Sequence, residues 1–170
     1  MDLQKLFEMQ RQLDAEIEKK HPRQKGEDRF SKKILALQVE VGELVNELPE
    51  VFKFWSNKKN NYENALKEYV DGLHFILSIG IELNLMDVES WFVEHNVTVY
   101  KYAANGLIKQ FDELFSSIDN VSKWRDFETY EHLFYEYLGL GEMLEFTWEQ
   151  IEKAYIEKNA VNHQRQNERY

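Results

Sequence analysis

The 170-residue chain contains no cysteine, only two prolines and only seven glycines. Without cysteine there can be no disulfide and no thiolate metal site, and a cytoplasmic address is favoured. So little Pro and Gly suits long helices and suits a β-sandwich poorly. The N-terminus, Met1 to Lys5, has no apolar run of the signal-peptide kind. No stretch approaches the roughly 18 apolar residues of a membrane span, so no membrane partner is expected. Positive charge is also scarce. Twenty-one Lys and Arg stand against 31 Asp and Glu, a formal charge of −10. That balance argues against a nucleic acid as partner, because grasping a phosphate backbone takes a basic surface. A small phosphorylated ligand stays compatible if metal ions supply the positive charge.

With 43% hydrophobic and 14% aromatic residues, the composition is that of a folded globular protein. The length predicts a single domain over residues 1–170. Apolar residues recur at helical spacing through most of the chain, so the expected fold class is all-α. Leu3, Leu6, Phe7, Leu13 and Ile17 mark a helix from about Asp2 to Lys20. Gln10 lies in that apolar stripe, where a buried amide must either bond the protein around it or face a ligand. A loop follows at His21–Gly26. The next helix runs from Asp28 or Ser31 to about Leu48, where Pro49 is expected to end it. The segment Val51–Lys59 is aromatic, basic and irregular. Its Trp55 has the character of a stacking surface, or of a hydrophobic plug with a wet rim. A third helix is expected from Tyr62 to about Asn84. Asp87 is a plausible N-cap for a helix reaching about Ala104. Shorter helices are expected at Leu107–Phe115 and Phe127–Leu138, with turns at Asp119–Asn120 and Gly139–Gly141. Thr147 and Gln150 form a capping-box pattern that opens a last helix at Trp148.

Two acid pairs stand out. Glu40 and Glu43 are spaced i, i+3 on the second helix, and Glu68 and Asp71 share that spacing on the third. At about 100° per residue each pair projects from one side of its helix. An E-x-x-E pair is ordinarily a solvated face. Glu68 and Asp71 are different, because they border Phe75 and Ile79 on a helix that is apolar over most of its circumference. Burying carboxylates there demands ion pairs or a metal. His74 continues the same polar line, as a ligand-facing group or a satisfied core histidine. Near the C-terminus Lys158, Asn162 and Arg165 fall on one helical face. Such a stripe reads phosphate, or is a frayed solvated tail.

If the two acid-bearing helices pack together, four carboxylates converge and call for hard cations, Mg²⁺ first and Mn²⁺ as substitute. The chemistry implied is hydrolysis of a phosphoanhydride. A di-iron bundle would need two Glu-x-x-His motifs facing one site, and Asp71-x-x-His74 is the one acid-x-x-His run beside the acids.

These motifs carry a resemblance. The order E-x-x-E (Glu40, Glu43), F-K-F-W-S (Phe52–Ser56) and E-x-x-D-x-x-H-F (Glu68–Phe75) resembles the dimeric all-α dUTPases. These belong to the all-α NTP pyrophosphatase, or MazG-like, superfamily. The Leu6–Leu13 segment around Gln10 and the K-N-x-x-N-x-x-R-Q run from Lys158 to Gln166 are similar to the same family. The resemblance implies a helical bundle with a mobile helical part. It implies hydrolysis of dUTP to dUMP and pyrophosphate, with dUDP as a further candidate substrate. It places Mg²⁺ on Glu40, Glu43, Glu68 and Asp71, with Glu43 as partner of the attacking water. Gln10 would read the uracil, with Asp14 beside it and Trp55 and His74 lining the base and sugar pocket. Lys158, Asn162 and Arg165 would grip the phosphates, and Tyr170 would close the pocket. A homodimer is implied, and a repressor-protein partner such as some phage and bacterial relatives have. The alternatives are a broader (d)NTP pyrophosphatase and a non-catalytic helical interaction module.

Overall fold

The computed structural model describes residues 2–83, 99–102 and 106–168. Among these residues there are seven helices and no strand: α1 Leu3–Lys20, α2 Arg29–Asn46, α3 Pro49–Phe52, α4 Tyr62–Glu82, α5 Gly106–Trp124, α6 Phe127–Met143 and α7 Trp148–Asn167. The all-α expectation holds.

Local chemistry explains where the helices start. Side chains of Asp2, Asp28, Asn61 and Asp126 accept from the backbone N–H three residues on, capping α1, α2, α4 and α6. Thr147 and Gln150 form the anticipated reciprocal capping box at α7. Pro49 does not simply stop a helix. Two residues separate it from the end of α2, and it opens the turn α3 from the first helical position, where a missing N–H costs nothing.

α4 is the centre of the bundle. It packs along α2 on one side and against α1 and α7 on another, while α5 and α6 pair with each other and reach α2 and α4. Its residues Ala65, Tyr69, Val70, Leu73, Ile76, Leu77 and Ile79 are all essentially inaccessible. One contact between α4 and α6 is reciprocal. The Tyr137 hydroxyl donates to the Tyr69 carbonyl at 2.6 Å, the Tyr69 hydroxyl donates to the Tyr137 carbonyl at 3.1 Å, and the rings stack at 4.6 Å. Each hydroxyl lies where a glycine leaves room. A Cβ on Gly141 would come within 2.6 Å of the Tyr69 hydroxyl, and one on Gly72 would collide with that of Tyr137.

Three sequence expectations need correction. Asp119–Asn120 is not a turn but lies inside α5, because Ile118 and Val121 prolong its buried stripe beyond Phe115. Asp119 is on the wet side, ion-paired one turn on with Lys123. Gly139–Gly141 is likewise inside α6, where small residues admit the Tyr100 backbone and the Tyr69 ring. The helix expected from Asp87 to about Ala104 lies mostly outside the described residues. Its described part, residues 99–102, is not helical. There the Tyr100 N–H donates to the Tyr135 carbonyl instead.

Candidate active site

Because α2 and α4 lie side by side, the two acid pairs meet. One carboxylate oxygen from each of Glu40, Glu68 and Asp71 can be chosen so that all three lie within 4.8 Å of one another. Glu43 is exposed and lines the same cavity, and its charge is felt by all three. Burial, followed by the charges of Asp71, Glu43 and Glu68, pushes the Glu40 carboxyl up to about 7. Burial, followed by the charges of Asp71 and Glu43, raises Glu68 against the pull of Lys158. Asp71, with a side chain 15% exposed, is raised by burial against the opposing pull of Lys158.

Lys158 comes from α7 and donates to Asp71 Oδ2. The other oxygen, Oδ1, is buried without a hydrogen-bond partner. Around it the acids outnumber this ammonium group, which leaves a shortage of positive charge. All the donors are hard carboxylate oxygens, the set that Mg²⁺ or Mn²⁺ prefers, so the residues fit a divalent cation.

The acids form one end of a cavity of about 1200 Å³. Lys158, Asn162 and Arg165 line it from α7, on the single face anticipated. That segment is ordered helix through Asn167 and not a frayed tail.

Gln10, Asp14, His74, Phe75 and Ser78 line the cavity beyond the acids. Gln10 is buried, and both ends of its amide are engaged. Nε2 donates to Asp14 Oδ1 at 2.7 Å, while Oε1 meets the Tyr155 hydroxyl at 2.8 Å and His74 Nδ1 at 2.7 Å. The His74 ring stacks on Tyr155 with centroids 4.0 Å apart, and burial pushes its pKa down to about 3, so the imidazole is neutral. Asp14 Oδ2 accepts from Ser78 Oγ at 2.5 Å and faces Lys33 Nζ at 3.4 Å, and Lys33 in turn reaches Glu82 at 3.0 Å.

Trp55 is the site candidate the structure leaves apart. It is 67% exposed, lies edge-on to Phe52 and Phe54, and is not among the cavity-lining residues. Tyr170 lies outside the described residues. Sequence reasoning missed Lys33, Ser78 and Tyr155. Ser78 carried a usable signal, a polar residue one turn after His74 on the buried face of α4. Lys33 and Tyr155 carried none, since their partners are distant in sequence.

Fold and cavity together define an all-α protein with a ligand site, acid-rich at one end and lined beyond it by the hydrogen-bonded Gln10, His74 and Ser78 beside the paired charges of Asp14, Lys33 and Glu82. A dUTPase family model matches residues 2–170. The chain belongs to this dUTPase family, whose activity is that of a dUTP diphosphatase. Searches of curated proteins and of solved structures find no significant match. No described helix is long and apolar enough to cross a membrane.

Proposed function

We propose that this dUTPase hydrolyses dUTP to dUMP and pyrophosphate with Mg²⁺ held by Glu40, Glu68 and Asp71, and that Glu43 partners the attacking water. The observation that carries the reading is the crowding of the three carboxylates, with Asp71 Oδ1 buried and unpartnered. A bound divalent ion would neutralise polyphosphate charge and make its bound water more acidic. Glu43, exposed at the rim of the trio, is free to accept a proton from the attacking water. Breaking the P–O–P bridge then releases pyrophosphate and a proton. Lys158 and Arg165 supply cationic donors toward the phosphates, with Asn162 between them. In this reading Lys158 holds Asp71 until polyphosphate and cation arrive.

Gln10 and His74, with Asp14 beside them, form the base end. A role for Trp55 would require the Phe52–Lys59 segment to move inward. Tyr170 as a closing residue, a homodimer and a repressor-protein partner rest on the family resemblance, and a cytoplasmic address on the lack of cysteine.

Pyrophosphate release from dUTP, dCTP, dTTP and dUDP, each with Mg²⁺, Mn²⁺ or EDTA, tests the proposal. The expected result is turnover of dUTP that EDTA abolishes and either metal restores. Turnover in EDTA would overturn the metal assignment, and equal turnover of dCTP would overturn uracil selectivity.

A further inference from the structure

The hydrogen bonds around Gln10 have a direction that the chemistry of their partners dictates. Asp14, facing Lys33, is a carboxylate and can only accept, so the Gln10 atom 2.7 Å away must be the amide nitrogen. The other amide atom is then the oxygen, and both groups that touch it must donate. Tyr155 does so through its hydroxyl at 2.8 Å and His74 through Nδ1–H at 2.7 Å. Two donors fill the lone pairs of Oε1, and one N–H is spent on Asp14. The single hydrogen-bonding valence left on the Gln10 amide is therefore an N–H.

The same sequence of constraints fixes His74. With its proton on Nδ1, its Nε2 is a lone-pair acceptor, and that atom is buried without a partner. Uracil and cytosine differ on this point of polarity. At position 4 uracil offers a carbonyl acceptor, whereas cytosine offers an amine donor. A group whose only open valence is a donor can bind the first and opposes the second, and an amine held against it leaves buried polar groups unpaired.

We infer that Tyr155 is a positioning residue for base selectivity: by occupying Gln10 Oε1 from α7, it denies the amide an acceptor valence and leaves it a donor toward position 4 of the base. Tyr155 need not touch the nucleotide. It acts through Gln10, and its ring keeps His74 in place by stacking. This inference rests on the reading of Gln10 as the base-facing residue.

Tyr155→Phe isolates the effect, since the ring and its stacking on His74 are retained and only the hydroxyl is lost. The change frees a lone pair on Oε1 that an exocyclic amine can use. The expected result is a fall of about tenfold in the ratio of kcat/KM for dUTP over dCTP, the worth of one hydrogen bond to a buried group. The change should appear in KM, with kcat for dUTP retained. A purely structural role would lower the melting temperature and depress both substrates alike, leaving the ratio unmoved, and that outcome overturns the inference. Gln10→Ala, measured alongside, separates the two claims. If Gln10→Ala collapses the ratio and Tyr155→Phe does not, only the role of Tyr155 falls. If Gln10→Ala leaves the ratio intact, the base-reading role of Gln10 falls and takes the inference with it. Adding Tyr155→Phe to Gln10→Ala should change the ratio no further. Should Tyr155→Phe not fold, 4-thio-dUTP with the wild-type protein probes the same donor. Sulfur is a poor acceptor, so its KM should rise about tenfold over that of dUTP, and an unchanged KM overturns the assignment.

Discussion

Glu40→Gln should stabilise the protein when no divalent cation is present, by an amount that grows as the pH rises from about 4.5 to about 7 and then levels off. The Glu40 carboxyl titrates near 7 in the folded chain against 4.5 in an open one, because of burial and of the charges on Asp71, Glu43 and Glu68. A carboxyl raised by folding binds more protons in the folded state between those two values. Its contribution is fully present below pH 4.5 and is lost as the pH rises through about 7. At about 1.36 kcal/mol per pH unit the full effect would be about 3 kcal/mol. Glu40 is only partly buried, and solvent screening reduces this to about 1–2 kcal/mol. For a chain of this size that corresponds to about 3–6 °C in Tm. Thermal unfolding in EDTA should therefore find wild type and Glu40→Gln within about 1 °C of each other at pH 5. At pH 8 the variant should be about 3–6 °C higher. Millimolar Mg²⁺ should reverse the order at pH 8, since the ion stabilises only a folded state with its ligands complete. A difference between the two proteins that does not vary with pH would refute the electrostatic reasoning. A variant stabilised by Mg²⁺ as strongly as wild type would refute the assignment of Glu40 as a ligand.

Three further outcomes are expected. Glu43→Gln should lower kcat by about 10²–10⁴-fold while dUTP binding, followed by calorimetry with a non-hydrolysable analogue, stays within a few-fold; full activity would remove Glu43 from the chemistry. Gly72→Ala should destabilise by about 1–3 kcal/mol through collision with the Tyr137 hydroxyl, read as a lower urea midpoint, and Tyr137→Phe in the same chain should recover part of that loss. Folding also holds the hydroxyls of Tyr69, Tyr130, Tyr137 and Tyr155 well above their ordinary value of 10.0 by burial. The unfolded chain releases these protons first, so stability should fall steadily once the pH passes 10 and unfolding should coincide with tyrosinate absorbance at 295 nm; a separate, earlier titration of four tyrosines would contradict their burial.

Much of the architecture was legible because α1, α2 and α4 each combine a polar cap with an apolar stripe of helical period, and because α7 opens on a capping box. The acid site was legible for the same reason. Glu68 and Asp71 had to be explained once they stood among core residues on α4. What stayed hidden depended on contacts between distant segments. Gly139 and Gly141 look like turn residues until Tyr69 and the Tyr100 backbone are known to approach them. Asp119–Asn120 looks like a break until Ile118 and Val121 are found buried around it. The counter-ion of Asp71 is no sequence neighbour: Lys67 pairs with Glu63, and Lys158 arrives from 87 residues away. Trp55 shows the converse. Its motif is recognisable, yet nothing in the local sequence fixes the direction in which an irregular segment points.

The crossed tyrosines between α4 and α6 have a consequence for how this chain can change over time. Tyr69 fits only while residue 141 lacks a side chain, and Tyr137 only while residue 72 does. The members of each pair are thus coupled, and a side chain added at the glycine is accommodated better once its tyrosine has shrunk. Each tyrosine hydroxyl also bonds the other's main-chain carbonyl, so the two pairs bind four positions on two helices into one coupled block. Gly72 immediately follows Asp71. A change at that block therefore presses on the position next to an acid of the site, through residues that have no part in its chemistry.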